Sequence, residues 1–331
     1  MSTTVAITGA DGFIGSHLAE TLVGSGYRVR AMVQYNSFGS WGWLESLDAH
    51  TLDAIEVVPG DVRDRDTVLA LMTGADMVCH LAALIAIPYS YQAPWSYLET
   101  NAGGTLNVLE AGRALGTSRI VCTSTSEVYG SAQIVPITED HPLQAQSPYS
   151  ASKIAADKLA ESYHLSFDLP IITLRPFNTY GPRQSARAVI PTVISQAAAG
   201  ATTVQVGALT PVRDFNFVAD TANAFLCAGT APAHQVVGEV LNAGSGRGIS
   251  VADLVSLIGE VMGVRLEATL DPQRLRPPRS EVMELVCDST KMNKLTGWEP
   301  AHSLEDGLSI TAAWFSDPDN LARYKTNVYN I

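Results

Sequence analysis

The sequence predicts an α/β fold in which a doubly wound parallel sheet, covered by helices on both faces, is followed by a smaller α/β lobe. Strand-like runs alternate with helical runs from residue 4 onward, an order typical of parallel strands joined by crossover helices. The strand-like runs are continuously apolar, which indicates burial on both faces of the sheet. The length of 331 residues, 46% of them hydrophobic, suffices for one large sheet domain and a second lobe.

The order of apolar and polar residues predicts each strand and helix of the sheet domain in turn. Residues 4–8 form a short β-branched run, and the helix that follows, 13–23, has its apolar residues at helical spacing. Strand 27–33 ends at the polar residue Gln34, and strand 55–58 stops at a Pro-Gly pair. The further predicted elements are helix 64–72, strand 77–81, helix 97–115, strand 119–123, helix 148–166 and strand 171–174.

The pattern loosens after residue 175, where proline, glycine and polar residues become more frequent. In this part we predict helices at 190–199, 218–228, 251–262 and 304–315, and strands at 203–206 and 239–242. We therefore expect residues 1–177 to form the dinucleotide-type sheet domain and residues 178–331 to form mainly the smaller lobe. Residues 218–242 are expected to return to the main sheet.

The composition excludes several classes of protein. The net charge is −12 and the pI about 5.0, without a run of lysine and arginine, so no nucleic-acid-binding face is expected. No apolar stretch approaches the ~20 residues that a membrane-spanning helix needs, and no signal-peptide pattern is seen. Four scattered cysteines without a CxxC pair fit a reducing compartment, so we expect a soluble cytoplasmic protein.

The first predicted strand ends in a glycine-rich turn, Gly-Ala-Asp-Gly-Phe-Ile-Gly, which opens the first helix. Glycines permit a tight turn and let the backbone approach a pyrophosphate, which the N-terminal amides of the helix then bind. The position of this motif, directly after a strand and before a helix, favours a dinucleotide site of the Rossmann type over an empty turn. The candidate cofactor ligands here are Gly9, Asp11, Gly12, Phe13, Ile14 and Gly15.

The expected cofactor is NAD, but the acid that usually binds its ribose at the end of the second strand is missing. Gln34 stands there, and no arginine pair is present for the 2′-phosphate of NADP, so NADP is not excluded. Gln34 or Asn36 can bond the ribose. Asp61 and Val62 follow the third strand, where an adenine edge is expected; a helix N-cap region is the alternative. Small residues after the fourth strand let a cofactor pass, and the candidates there are Leu81, Ala82 and Ala83.

Tyr149 and Lys153 lie four residues apart at the start of a predicted helix, a spacing that puts both side chains on one face. A lysine ammonium beside a phenol favours the phenolate, so we expect the pKa of Tyr149 to fall from about 10 toward working pH. Such a tyrosine can accept the proton of a hydroxyl while hydride leaves the same carbon. Both residues are therefore candidates for catalysis as well as for cofactor binding.

The fifth predicted strand ends in the hydroxyl-rich run Thr-Ser-Thr-Ser-Glu, residues 123–127. Hydroxyls at the carboxyl end of a strand can orient a substrate hydroxyl. Glu127 can remove an acidic proton next to a newly made carbonyl; the alternative is a structural carboxylate bonded to backbone amides. The candidate catalytic residues are thus Thr125, Ser126, Glu127, Tyr149 and Lys153.

Together these motifs resemble the extended short-chain dehydrogenases, and the resemblance covers nearly the whole chain. The segments that carry it are residues 8–15, 125–130, 149–153 and 175–183. The resemblance is strongest to nucleotide-sugar 4,6-dehydratases. Segments 35–44 and 84–90 look like the NAD-dependent UDP-N-acetylglucosamine 4,6-dehydratase type.

The resemblance implies a mechanism. Tyr149 takes the proton of the C4 hydroxyl while C4 gives hydride to the nicotinamide; Lys153 keeps Tyr149 ionised and binds the ribose, and Thr125 bonds the C4 oxygen. The 4-keto group acidifies C5–H, Glu127 removes that proton as water leaves C6, and hydride returns to C6. In dTDP-glucose 4,6-dehydratases an Asp precedes the Glu as the acid. Ser126 stands in that place here, as in GDP-mannose 4,6-dehydratases, so the acid is unassigned: Glu127 itself and a water are the choices.

An acidic chain that binds an anionic nucleotide sugar needs a few placed cations. Arginine suits phosphate oxygens because its planar fork donates two parallel hydrogen bonds. The resemblance implies that Arg213 and Arg279 bind the diphosphate with help from Asn178; a solvated surface arginine is the alternative for each. Further candidates are Ile87, Tyr89 and Arg183 for the substrate and Phe177 for the cofactor.

Other reactions on the same scaffold stay open. Glu127 argues against a 4-epimerase, since epimerases of this kind usually lack an acid there. A UDP-glucuronate decarboxylase carries an arginine just after the catalytic lysine, whereas Ile154 follows Lys153 here. The sequence does not exclude a 5,6-dehydratase. A non-catalytic nucleotide binder is disfavoured because the tyrosine, the lysine and the glutamate are all present.

The sequence also bears on metals and assembly. His17 and His80 have no partner at metal-ligand spacing, so no metal is expected. Helices 97–115 and 148–166 carry apolar residues on more than one face. The resemblance implies that these helices pair across a homodimer.

Overall fold

A seven-stranded parallel sheet forms the centre of the computed structural model, which describes residues 3–326, 328 and 329. In spatial order its strands are β3 (Ile55–Gly60), β2 (Arg28–Gln34), β1 (Thr4–Thr8), β4 (Met77–His80), β5 (Ile120–Thr123), β6 (Ile171–Pro176) and β10 (Val240–Ala243). The chain order reverses between β1 and β4, which is where a doubly wound sheet binds its ligand. The predicted fold class is confirmed.

Helices cover both faces of this sheet because each one turns an apolar stripe toward it. One face is covered by α1 (Phe13–Gly24), α9 (Val218–Thr230) and α12 (Thr290–Thr296). The other is covered by α3 (Arg65–Met72), α6 (Gly104–Leu115) and α7 (Pro148–Phe167). Leu18 and Leu22, four residues apart on α1, are fully buried in the first of these two layers. The sheet is thereby fixed between two apolar layers, with its strand ends left to build a site.

The long helix predicted at 97–115 is interrupted in the structure. Short helices α4 (Ile87–Ser90) and α5 (Pro94–Tyr97) lead into a π-helical segment, Leu98–Gly103, and only then into α6. Asn101 in this segment donates to the carbonyl of Leu84 and to Ser152 Oγ, both at 2.9 Å. The wide turn, a feature frequent at functional sites, therefore ties the segment before α4 to the first turns of α7.

The second lobe is built on a four-stranded sheet around β9 (Val212–Phe217), with β7 (Asn178–Tyr180), β11 (Gly248–Ser250) and β13 (Glu284–Leu285) as its other strands. A two-stranded sheet joins β8 (Thr203–Val206) to β12 (Glu267–Leu270). Its main helices are α8 (Val189–Ala198), α11 (Val251–Met262) and α13 (Leu304–Ser316). The remaining short helices are α2 (Ala49–Asp53), α10 (Ala233–Val236) and α14 (Pro318–Leu321).

Two histidines that the sequence singles out are structural. His80 joins β1 to α6, with Nδ1 2.8 Å from Thr8 Oγ1 and Nε2 3.0 Å from Thr105 Oγ1; burial lowers its pKa to about 3. His17 Nε2 lies 3.0 Å from the carbonyl oxygen of Pro182. Across residues 3–326, 328 and 329, no three histidine, cysteine or acidic side chains are grouped as metal ligands. The same residues include no helix with the length and apolar character needed to cross a bilayer.

Candidate active site

The carboxyl ends of β1 and β4 form a narrow backbone cradle. Gly9 has a φ of +71°, and a Cβ there would lie 2.7 Å from the amide nitrogen of Ala82. A Cβ on Gly15 would collide with the carbonyl oxygen of Gly9. Thr8 Oγ1 accepts from the N–H groups of Leu81 and Ala82 at 3.1 Å, which fixes the segment after β4 beside the turn. Only glycine fits these two turn positions. The room that the missing side chains leave at the strand ends is taken up by the neighbouring backbone or by a ligand that lies close to it.

The helix that follows the turn supplies unused donors. α1 begins after Gly12 and has no side-chain cap. The N–H groups of its first turn, at Phe13, Ile14 and Gly15, lack partners inside the helix and carry its positive dipole end. Backbone amides at a glycine cradle are the chemistry that binds a pyrophosphate, so the residues present fit a dinucleotide.

The end of β2 is held by the turn itself. The N–H of Gln34 donates to Asp11 Oδ2 at 3.2 Å. Asn36 donates from Nδ2 to the carbonyls of Gln34 and Ser40, and its Oδ1 accepts from the N–H groups of Phe38 and Ser40. These bonds use both donors and both lone pairs of the amide, so the Asn36 side chain closes its own loop, and its contact with the cofactor ribose stays a prediction.

The segment after β3 is organised by its own charges. The Asp61 carboxylate accepts from the N–H of Arg63 at 2.9 Å and pairs with its guanidinium at 2.5 Å, which lowers the pKa of Asp61. Val62 is buried. Asp64, not Asp61, caps α3 by accepting from the N–H of Thr67 at 2.9 Å. Asp61 is therefore an ionised group at the edge of the sheet, already paired.

Tyr149 and Lys153 are presented by the first turns of α7, which opens with a capping box between Ser147 and Ser150. Both side chains are buried. The Tyr149 ring packs edge-on against Tyr97 with the ring centroids 6.2 Å apart. Lys153 Nζ donates to the carbonyl of Thr123 at 2.5 Å. The helix thus holds Tyr149 against α5 and Lys153 against the end of β5.

The electrostatics of this pair correct one expectation. Burial raises the pKa of Tyr149 above its usual value, opposed by a hydrogen bond from the Thr125 hydroxyl. The expectation that Lys153 lowers the pKa of Tyr149 is wrong for the protein without bound ligand. The ammonium of Lys153 donates to the carbonyl of Thr123 instead. Burial also lowers the pKa of Lys153. The Thr125 hydroxyl, in contrast to the lysine, lowers the pKa of the phenol.

Glu127 follows Thr125 in a short 3-10 helix, Ser126–Tyr129. Thr125 starts this helix by accepting from the N–H of Glu127 at 3.2 Å. Ser126 is buried. The Glu127 carboxylate lies 3.4 Å from the guanidinium of Arg276. The structure thus brings a carboxylate, a hydroxyl and a phenol together at the end of β5.

Glu127 belongs to a cluster of four alternating charges that we call the four-charge cluster: Glu127, Arg276, Glu281 and Arg213. Arg213 donates to Glu281 at 3.1 Å, and Arg276 lies 3.8 Å from the same carboxylate. Each of the four side chains is at most 24% exposed. The cluster holds two guanidiniums, one buried (Arg213) and one partly exposed (Arg276), and their planar forks suit an anionic ligand.

Arg276 is the residue that the sequence reasoning missed. The prediction chose Arg279, which is exposed and whose carbonyl accepts from Gln146 Nε2 at 2.9 Å. The two arginines flank a Pro-Pro pair, and the sequence carries no signal for which of them enters the site. Arg183 also lies elsewhere: it donates to Glu20 and to Ser16 on α1 at 3.0 and 3.3 Å.

The other candidates occupy several positions. Ile87 is buried in one apolar cluster with Tyr97 and Tyr149, and the partly exposed ring of Tyr89 lies 6.2 Å from that of Tyr97. Asn178 Nδ2 donates to the carbonyl of Asp214 at 3.2 Å. Phe177 is fully buried against Tyr129. Leu81, Ala82 and Ala83 follow β4 and are partly exposed.

The glycine cradle, the tyrosine–lysine pair and the adjoining carboxylate define a class: the NAD-dependent nucleotide-sugar dehydratases and epimerases. Comparison with known proteins agrees with this class. A family model described as GDP-mannose 4,6 dehydratase matches residues 6–311, and the chain belongs to that family.

Relatives of the chain are named for two kinds of reaction. A UDP-glucose 4-epimerase from Mycolicibacterium smegmatis is 34% identical over 315 residues, which cover 93% of this chain and 97% of the relative. A dTDP-glucose 4,6-dehydratase from Streptomyces griseus is 33% identical over 319 residues, 95% of this chain and 94% of the relative. The structure of DesIV, a dTDP-glucose 4,6-dehydratase from Streptomyces venezuelae with NAD and TYD bound, aligns with a TM-score of 0.85. It is 27% identical, and the alignment covers 96% of this chain and 98% of DesIV.

Proposed function

We propose that the protein is an NAD-dependent nucleotide-sugar 4,6-dehydratase that acts on a UDP-N-acetylglucosamine-like substrate. The observation that carries the proposal is Glu127, a partly buried carboxylate close enough to Tyr149 to raise the pKa of its phenol. A 4-epimerase only oxidises and reduces one carbon and needs no base for C5, whereas elimination of water does. The glycine cradle, and the NAD found in DesIV, support the cofactor.

The first step is oxidation at C4. When bound, NAD supplies a reversible hydride acceptor beside this carbon. Tyr149 removes the hydroxyl proton, and Thr125, its hydrogen-bond partner, orients the C4 oxygen. Lys153 is released from the carbonyl of Thr123 to hold the ribose and to stabilise the phenolate.

The second step is loss of water. The C4 carbonyl acidifies the C5 proton, which Glu127 removes. Ser126, next to it, offers only a hydroxyl, a poor acid at neutral pH. We therefore assign the delivery of that proton to the departing C6 oxygen to Glu127 itself, so that the C5 proton and the C6 hydroxyl leave together as water. Return of hydride to C6, together with addition of a proton from solvent water to C5, then gives a 4-keto-6-deoxy sugar.

In this proposal each of the two lobes binds one of the two ligands. Residues 1–177, with 218–242, bind the cofactor, and residues 178–331 bind mainly the nucleotide sugar. The diphosphate lies against Arg213 and Arg276, where it displaces the carboxylate of Glu281, with Asn178 at the edge. We also place the enzyme in the cytoplasm, where a reducing environment keeps its four unpaired cysteines as thiols.

Replacing Arg276 with alanine is expected to weaken UDP binding by a factor of about 10 to 100, the range for a lost hydrogen bond to a charged group. Arg279→Ala is the matched control and is expected to change the dissociation constant less than about threefold, because exposed ion pairs contribute little. Isothermal titration calorimetry with UDP measures both without turnover. A larger effect from Arg279 than from Arg276 would reverse the assignment.

The proposal includes a homodimer formed through α6 and α7. Large apolar side chains are exposed on or beside these helices: Trp95, Leu98, Leu106, Leu165 and Phe167. Burial of such residues is the main force that holds obligate dimers together. Light scattering at micromolar concentration is expected to give twice the chain mass, and a monomer mass would contradict this assembly.

A panel of nucleotide sugars with UDP, GDP and dTDP bases, incubated with the enzyme and NAD, tests the function. Mass spectrometry is expected to show a product lighter by one water, most rapidly with UDP-N-acetylglucosamine. An unchanged mass with a new epimer would replace the proposal with a 4-epimerase. Loss of carbon dioxide from a uronate would replace it with a decarboxylase.

A further inference from the structure

We propose that Asp11 selects NAD over NADP, by presenting to the adenosine ribose a carboxylate that comes from the glycine turn rather than from the end of β2. This inference rests on the proposed cofactor. It answers a problem posed by the sequence: the position at the end of β2 that usually carries an acid holds Gln34.

The geometry places the Asp11 carboxylate at the missing acid's location. Asp11 Oδ2 accepts from the backbone N–H of Gln34 at 3.2 Å, so the carboxylate lies directly at the carboxyl end of β2. In a doubly wound sheet this is where the adenosine ribose lies, with its pyrophosphate on the helix that begins at Phe13. One residue of the turn thus reaches both the phosphate cradle and the ribose position.

The loop after β2 fixes this residue from its other side. Trp43 N–H donates to the carbonyl of Asp11 at 3.0 Å. Gly42 has a φ of +60°, and a Cβ there would lie 2.9 Å from the Cβ of Asp11. Asn36, whose amide closes the same loop on itself, keeps the loop in shape. Asp11 is therefore positioned by packing as well as by its hydrogen bond.

The charge on Asp11 is incompletely satisfied by the chain. Its carboxylate accepts from the N–H of Gln34 and from its own N–H, and no salt bridge to it is found among residues 3–326, 328 and 329. Burial raises the pKa of Asp11, so further donors would stabilise the anion. A carboxylate has about four lone-pair sites, and two neighbouring ribose hydroxyls supply the two missing donors. A 2′-phosphate would instead bring its negative charge against an unpaired carboxylate.

Asp11→Asn tests the inference, because it keeps the shape and the acceptor for Gln34 but removes the charge. Dissociation constants for NAD and NADP are measured by calorimetry, without substrate. We expect the wild type to prefer NAD by about 100-fold or more, and Asp11→Asn to reduce that preference about tenfold or more, by weakening NAD and strengthening NADP. Asp66→Asn, an exposed acid on α3, is the matched control and leaves the preference unchanged.

Three results would overturn the inference. An unchanged preference in Asp11→Asn, with or without equally weakened binding of both cofactors, would reduce Asp11 to a structural role. An equal loss of preference in Gln34→Ala would give the role to the glutamine side chain. If the wild type bound neither cofactor, the proposed cofactor would fall together with this inference, whereas NAD binding with an unaltered preference in Asp11→Asn would remove the inference alone.

Discussion

Replacing Tyr149 with phenylalanine is expected to lower kcat by a factor of about 10² to 10⁴, the range for loss of a general acid–base group. Phenylalanine keeps the edge-on packing against Tyr97 and removes only the oxygen that takes the proton of the C4 hydroxyl. Both dehydration and the initial oxidation are therefore lost. Stopped-flow absorbance of reduced nicotinamide after mixing with substrate measures this first step directly.

The rate of this oxidation step is expected to depend on pH. Burial raises the pKa of Tyr149, and the phenolate is the active base, so the wild-type oxidation rate should rise from neutral toward alkaline pH. The Tyr149→Phe variant should lack this rise. A variant that oxidises C4 within tenfold of the wild-type rate would show that another group is the base.

Glu127→Gln is expected to separate the two steps. Product formation should fall by a factor of about 10² to 10⁴, because no carboxylate remains to take the C5 proton. Oxidation of C4 should persist, since Tyr149 and Thr125 are untouched. Reduced nicotinamide should therefore accumulate on mixing with substrate, in contrast to its transient appearance in the wild type.

Exchange of the C5 hydrogen with solvent deuterium shows whether Glu127 or a neighbouring group is the base that removes the C5 proton. Wild type should incorporate deuterium at C5, and Glu127→Gln should not. Glu284→Gln, an exposed acid on β13, serves as the control for changes of surface charge and should behave as the wild type. Incorporation at C5 by Glu127→Gln would identify a different base and would remove the observation on which the dehydratase assignment depends.

The sheet and its glycine cradle were predictable because their signals are local. Continuous apolar runs define β1, β4, β5 and β6, and the glycine turn follows directly from the first of them. The lobe sheet was not predictable in the same way. Its central strand β9 carries Arg213, Asp214 and Asn216 as buried polar residues, which hides the alternation that marks a strand, and its partners are only two or three residues long.

The same difference between local and long-range signals decides which residues of the site could be predicted. Tyr149, Lys153, Thr125 and Glu127 are recognisable from spacing within short segments. The choice of Arg276 over Arg279 depends instead on the chain path around two prolines, and 149 residues separate Arg276 from Glu127. The hydrogen bond from Gln34 to Asp11 likewise joins two elements. Contacts of this kind exist only in the folded chain, so pattern reasoning finds one partner and misses the other.

A substrate labelled with deuterium at C4 tests the central claim most directly. If the enzyme oxidises C4, eliminates water across C5 and C6 and returns the same hydride, mass spectrometry and NMR should find the deuterium at C6 of a 4-keto-6-deoxy product. Deuterium at C4 of an epimer would contradict the account and establish a 4-epimerase. Deuterium at C4 of a product with a 5,6 double bond would contradict it as well and establish a 5,6-dehydratase.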